Sequence, residues 1–474
     1  MRTIATLILA TLLAMGCSDK VQNPVLSIEG GQVQGVLTEK EGVYVYRGIP
    51  YAAPPVGDLR WKAPQPVLPW EGVRQADTFG PACYQEAHRE RDFYTKEFFF
   101  DGDAPFSEDC LYLNVWTNSP GQTDKKLPVA MWIHGGAYVA GWGFEPEMDG
   151  EEWAAKDVVL VTINYRLGLY GFLTHPWLSE ENPRNISGNY GMLDQIAALQ
   201  WIRNNIAQFG GDPDNVTIFG QSAGAASIKS ICASPLAAGL FNKAIIQSGG
   251  GAARSTVMRH RPMQEVEQET AAIVEQAGYT SLAQLRAAST EEVFALNAKY
   301  HEASGDPWSS IYTQPCTDGY VNTIIFDDGA YENTIADVPY MIGCTANDIN
   351  DLAGGLGDFC LLREKAGNKA YAYKFCRPLP GDDSGAFHSS ELWYTFKSLR
   401  LSWRPFTEGD YALAERMLTA WTNFVKYADP NGKDGGEWTP YTRSCPETMI
   451  FSLDEKGSVD TSRMEDLGDA TLTF

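Results

Sequence analysis

The stretch VTIFGQSAG, Val216–Gly224, decides how this chain is read. Val216-Thr217-Ile218-Phe219 is a β-branched and aromatic run and predicts a buried strand. It breaks off at Gly220-Gln221-Ser222-Ala223-Gly224, and the small residues Ala225, Ala226 and Ser227 follow. This is the pattern G-x-S-x-G, with a strand ahead of it and a helix expected behind. A sharp turn there pushes the Ser222 hydroxyl out of the sheet, and a glycine on each side leaves room for strained backbone. The five-residue pattern alone recurs by chance in glycine-rich loops. Its strand–turn–helix setting is what marks Ser222 as a nucleophile.

Working outward, strands are expected at Leu111–Trp116, Pro128–Ile133, Val158–Asn164, Ala244–Gln247, Val338–Gly343, Ala370–Phe375 and Met449–Leu453. The run at 158–164 is almost wholly apolar, which suits a parallel sheet covered on both faces. Met192, Leu193, Ile196, Leu199, Ile202 and Ile206 recur at steps of three and four and predict an amphipathic helix over 190–207. A late helix is expected at Tyr411–Ala428. Residues from about 252 to 310 change to helical patterns, with a capping box at Ser289-Thr290-Glu291-Glu292, and read as a helical insertion. Strands alternating with helices predict an α/β fold with a large, mostly parallel, twisted central sheet. Proline and glycine exclude a helix from Tyr46–Trp61, which reads as an ordered surface loop held by its aromatics.

A serine hydroxyl needs a base within hydrogen-bond reach, and that base needs an acid to fix its tautomer. In α/β-hydrolases the partners follow the serine in the order acid, then histidine. Of six histidines, His260, His301 and His388 lie after Ser222. The first two fall in the helical insertion. His388 lies in a loop after the strand at 370–375 and is the expected base. The acid should end a strand between serine and base. Asp348, in the turn after Val338–Gly343, is the candidate, and Asp351 is the alternative. A helix N-cap is the other use of an aspartate in such a place. An oxyanion needs backbone N–H donors. Small residues after the strand at 128–133, in His134-Gly135-Gly136-Ala137, supply Gly136 and Ala137, and the residue after the nucleophile supplies Ala223. His134 reads as a packing residue.

The chain has 474 residues and a net charge of -23, which disfavours a nucleic-acid partner. No Cys/His spacing reads as a zinc site and no phosphate loop occurs, so no metal or cofactor is expected. Residues 1–16 have a basic Arg2 and a short apolar run, Ile4–Met15, ending at Gly16-Cys17, and read as a signal peptide. Gly16-Cys17 resembles a bacterial lipoprotein cleavage site, with Cys17 lipidated and 17–25 a tether. An ordinary secretory signal with an incidental cysteine is the alternative. Either way export to the cell envelope is expected, and disulfides are permitted there.

The chain resembles type-B carboxylesterases, the family of cholinesterases and bacterial para-nitrobenzyl esterases. The resemblance runs from about 25 to 474. It rests on YRGIPYAAPPVGDLRW (46–61), SEDCLYLNVW (107–116), WIHGGAYVAG (132–141), NYRLGLYGF (164–172), GNYGMLDQIAALQW (188–201) and FGGDPDNVTIFGQSAGAAS (209–227). It implies a single α/β-hydrolase domain, 26–474, and ester hydrolysis through an acyl-enzyme. It also implies Gly136 and Ala137 as oxyanion donors, and a disulfide between Cys83 and Cys110. Cys360 and Cys376 are a further expected pair. IGCTANDI (342–349) lines up with the family's acid turn, where Asp348 replaces the usual Glu. Being one methylene shorter, Asp348 requires a closer approach to His388 or a shifted turn. Gln221 stands where cholinesterases carry Glu, which disfavours choline esters.

Only 39 residues separate Asp348 from His388, fewer than the family usually has, which implies a more open site that admits bulky esters. The implied substrate is a small-molecule or oligosaccharide ester, and export points toward acylated polysaccharide fragments. A thioester, amide or lactone would suit the same groups. A non-catalytic adhesion protein on this fold is the alternative of another class.

Overall fold

The computed structural model describes residues 23–88, 92–252, 260–305, 313–349, 355–460 and 462–465. The expected signal peptide, Cys17 and Asp351 lie outside them. Eleven strands form one sheet: β1 Val36–Leu37, β2 Tyr44–Pro50, β3 Tyr112–Thr117, β4 Leu127–Ile133, β5 Val159–Ile163, β6 Gly211–Gln221, β7 Lys243–Gln247, β8 Tyr340–Thr345, β9 Ala370–Phe375, β10 Glu447–Phe451 and β11 Arg463–Glu465. Their spatial order is β11-β10-β9-β8-β7-β6-β4-β5-β3-β2-β1. The neighbours from β5 to β10 pair in parallel. The flanks β5-β3, β3-β2, β2-β1 and β10-β11 are antiparallel.

Parallel strands need covered faces, and the sequence supplies them. All five residues of β5, VLVTI, are buried. Helix Tyr190–Asn205 turns Met192, Ile196, Leu199 and Ile202 into the core formed by Val129, Met131, Val161 and Ile218. Helix Glu408–Tyr427 covers the other face with Leu413, Met417, Trp421 and Phe424, against Trp132, Phe219 and Tyr373. Each such fully buried side chain is worth about 1.5–3 kcal/mol. The expected insertion holds helices Met263–Gln276, Leu282–Arg286 and Thr290–Ser304, and the last opens with the Ser289/Glu292 capping box.

Three expectations change. The Tyr46–Trp61 stretch is a surface loop only in its middle, where 56–58 are exposed. Its first residues belong to β2, and Tyr51, Ala52, Ala53 and Trp61 are buried. Tyr51 Oη donates to the Asn164 carbonyl at 2.6 Å and Trp61 Nε1 to the Leu169 carbonyl at 2.8 Å, so its polar aromatics anchor inside. The acid-bearing strand runs on to Thr345, two residues past the expected end. Cys360 and Cys376 are free thiols: Cys360 sits in the apolar core on helix Leu356–Lys365, and Cys376 is partly exposed beyond β9. Cys83 and Cys110 form the expected disulfide.

Beyond β4 the chain enters β5 on one side of it, then returns to place β6 on the other. That reversal opens a crevice at the carboxyl ends of β4 and β6, the usual ligand site of open α/β sheets.

Candidate active site

Ser222 directly follows β6 with φ 57° and ψ −125°, a backbone conformation that costs a non-glycine residue on the order of 1–3 kcal/mol. The turn is held from both sides. Ser222 N–H donates to the Gln247 carbonyl at 3.0 Å, and Ala226 N–H donates to the Ser222 carbonyl at 2.9 Å, starting helix Ala223–Ala233. Both motif glycines are required by the end of β4. A Cβ on Gly220 would stand 2.7 Å from the Ile133 carbonyl oxygen, and one on Gly224 only 2.1 Å from it.

The segment after β4 lies directly beside this turn. A Cβ on Gly135 would meet the Gln221 carbonyl at 2.9 Å and Ser222 Cβ at 3.1 Å. Gly136, Ala137 and Tyr138 follow with φ of 95°, 53° and 64°, three left-handed residues in a row. Successive left-handed turns aim neighbouring N–H groups to one side. The Gly136 and Ala137 amides donate to no acceptor among the described residues. As the first residue of its helix, Ala223 likewise has no intrahelical acceptor. The three amides expected to receive an oxyanion are therefore available. His134 is buried, its ring stacked on Tyr165 at 4.5 Å and its Nε2 without a hydrogen-bond partner. Burial lowers its pKa to about 4, which keeps it neutral, as a packing residue should be.

His388 and Asp348 are brought together. His388 Nδ1 lies 2.5 Å from Asp348 Oδ1, and both side chains are about one-twentieth exposed. The shorter acid reaches because its turn is stitched to the histidine loop. Asn347 N–H donates to the Ala386 carbonyl at 3.0 Å, and Ala386 N–H returns a 3.0 Å bond to Asn347 Oδ1. Gly385 permits this approach: its φ is 72°, and a Cβ there would stand 2.6 Å from Asn347 Oδ1. The second carboxylate oxygen accepts from Ser248 Oγ at 2.6 Å and Thr345 N–H at 3.0 Å. Burial alone would raise the Asp348 pKa. The hydrogen bonds from His388, Ser248 and Thr345 outweigh it and hold the carboxyl below its ordinary 3.8.

Nε2 of His388 faces Gln221, whose amide nitrogen is 3.1 Å away. With Nδ1–H committed to Asp348, Nε2 is the acceptor and the Gln221 amide donates. The imidazole lone pair thus points at the residue next to Ser222. Glu391, three positions beyond His388, is buried, and neither carboxyl oxygen has a hydrogen bond of good geometry. Burial, then the neighbouring Asp348, push its pKa up to about 8.

Sequence reasoning singled out Ser222, Asp348, His388 and the Gly136–Ala137 amides, which the structure places around the ends of β4, β6, β8 and β9. It assigned no role to Ser248, Asn347 or Glu391. Ser248 carries one usable signal, a polar residue directly after the strand next to the one that leads into Ser222. Among the described residues, no group of His, Cys, Asp and Glu is arranged to hold a metal ion.

Comparisons with known proteins show the family to which the chain belongs. The model of the Carboxylesterase family matches residues 22–359 and 353–467. The para-nitrobenzyl esterase of Bacillus subtilis is 33% identical over 484 residues, covering 90% of this chain and 94% of that protein. The fumonisin B1 esterase of Sphingopyxis macrogoltabida is 37% identical over 386 residues, covering 79% of this chain and 66% of that protein. A PNB esterase structure superposes with a TM-score of 0.78 at 31% identity, covering 93% of this chain and 97% of that one. With its parallel sheet and its serine turn at the end of β6, the chain belongs to the carboxylesterase family, ester hydrolases built on the α/β-hydrolase fold.

Proposed function

We propose that ester hydrolysis here runs through an acyl-enzyme on Ser222, with His388 as base and Asp348 as its orienting acid. The reading rests on the 2.5 Å His388–Asp348 contact, set beside the strained serine turn and the free Gly136 and Ala137 amides. Attack requires the Ser222 Oγ–H to displace the Gln221 amide at His388 Nε2. His388 takes the proton, and Asp348 compensates the imidazolium. The carbonyl oxygen becomes an oxyanion held by Gly136, Ala137 and Ala223. His388 then protonates the departing alcohol. Water, deprotonated by His388, releases the acid and frees Ser222.

A fluorophosphonate should label Ser222 stoichiometrically, and Ser222→Ala should abolish both labelling and turnover of a nitrophenyl ester. Labelling that persists at another serine refutes the assignment.

The natural substrate is proposed as a bulky small-molecule or oligosaccharide ester, for which the short Asp348–His388 connection is the support. Acetate and ferulate release from acylated xylan oligomers, measured beside simple alkyl esters, tests it. Export, with a lipid anchor on Cys17, is proposed from the apolar 4–15 segment and from the Cys83–Cys110 disulfide, which belongs to an oxidising compartment. A Cys17→Ala chain that stays in the membrane fraction would exclude the anchor.

A further inference from the structure

Three consecutive left-handed residues do not hold themselves. Within the segment, Gly136 O accepts from Val139 N–H and Ala140 N–H, both at 2.9 Å, which closes a small ring. The far limb of that ring, Gly141, folds back on the near limb: a Cβ there would stand 2.7 Å from His134 Nδ1 and 3.2 Å from the Gly135 carbonyl oxygen. Gly141 is gripped from outside by one side chain. Gly141 N–H donates to Gln85 Oε1 at 2.8 Å, and Gln85 Nε2 donates to the Gly141 carbonyl at 3.1 Å. The same Nε2 also donates to the carbonyl of Cys83 at 3.1 Å. Gln85 is buried, and Cys83 is tied to Cys110. A covalently fixed backbone point is thus linked, through one amide, to the segment that carries the free Gly136 and Ala137 N–H groups.

We infer that Gln85 is a positioning residue for the oxyanion donors, holding the Gly135–Gly141 ring in the shape that aims the Gly136 and Ala137 amides at Ser222. The inference rests on the acyl-enzyme reading above. Gln85 touches no substrate. It pairs with both the N–H and the carbonyl of Gly141, two buried backbone groups that need partners. Interactions felt only as the oxyanion forms alter kcat, whereas uniform binding alters KM.

The test uses the full chain with Gln85→Met, which keeps the volume and removes all three bonds, and Gln85→Asn, which leaves an amide one methylene short. Active sites are first titrated with a fluorophosphonate, so that only folded, reactive chains are counted. Complete loss of one oxyanion donor costs about 10²–10³-fold in turnover. Misaiming two donors by loosening their ring should lower kcat per titrated site about 10–100-fold in Gln85→Met, and less in Gln85→Asn. KM should stay within about twofold. The Ki of a trifluoromethyl ketone, whose hemiketal oxyanion uses the same amides, should rise by the factor that kcat/KM falls. An unchanged kcat per site with only a lower Tm would make Gln85 a purely structural residue and overturn the inference. So would a rise in KM without a change in Ki. A wild-type chain that neither reacts with the fluorophosphonate nor turns over esters would instead overturn the reading on which the inference rests.

Discussion

Ser248 Oγ donates to Asp348 Oδ2 at 2.6 Å, on the oxygen that His388 leaves unoccupied. The two come from different strand ends, 100 positions apart in the chain. With Thr345 and Ile349 N–H completing the set, every side of this carboxylate has a donor, and one orientation is selected. Asp348→Asn should keep the fold, favour the wrong imidazole tautomer, and lower kcat on the order of 10³–10⁴-fold. Ser248→Ala should leave the tautomer and remove one of four contacts, lowering kcat about tenfold. Steady-state kinetics on a nitrophenyl ester separates the two. Equal losses would mean that Ser248 does more than orient the acid.

The strain at Ser222 predicts opposite signs for activity and stability. Ser222→Gly removes the Cβ from a residue at φ 57° and ψ −125°. Relief of on the order of 1–3 kcal/mol exceeds the roughly 0.5–1 kcal/mol that glycine loses in chain entropy. The variant should melt higher than the parent while losing all turnover. A lower Tm would show that the turn is not strained.

Glu391 sets a pH dependence of stability. The folded chain holds its proton up to about pH 8, whereas the unfolded carboxyl releases it near the ordinary 4.5. Between those values the folded state binds more protons, so stability falls as pH rises, and levels off above pH 8. Glu391→Gln removes that slope. The Tm difference, variant minus parent, should therefore grow from pH 5 to pH 8. Asp348 titrates below this window, and the buried Glu145, raised to about 7, is common to both chains and cancels. A difference that stays flat across the window refutes a buried, neutral Glu391.

The Cys83–Cys110 bond closes a loop of sequence separation 27. Constraining an unfolded loop of that length is worth about 3–4 kcal/mol. A Cys83→Ala/Cys110→Ala chain should lose about that much in urea unfolding, with the midpoint moved and the slope little changed.

The parallel core was readable because its strands are continuous apolar runs. Val159–Ile163 and Ala370–Phe375 were found within a residue or two of their true limits. Edge strands such as Val36–Leu37 and Arg463–Glu465 were not, since two or three residues of mixed polarity carry no period. The prolines of 46–61 kept an α-helix out, and one short 3₁₀ turn, Gly57–Leu59, forms there; burial is decided by Tyr51 and Trp61, which reach inward carbonyls. In the site, Ser222, Asp348 and His388 each sit at or beyond a strand end, a local signature. Ser248, Asn347 and Gln85 act on groups 39 to 100 positions away, through contacts that no sequence window contains. The reach of Asp348 was open in the sequence because it depends on Asn347 pairing with Ala386, which no side-chain length reveals.

One carbonyl joins the two halves of the chemistry. Ile133 O is the atom against which both Gly220 and Gly224 are pressed, and the oxyanion segment begins one residue later. Nucleophile and donors therefore share a single mechanical origin. A displacement of the sheet at that point should carry both the same way and leave their separation little changed. Asp348 and His388 hang from β8 and β9, two and three places from β6, and do not share that carbonyl. Warming or mutating the sheet should therefore detune the base before it detunes the oxyanion site.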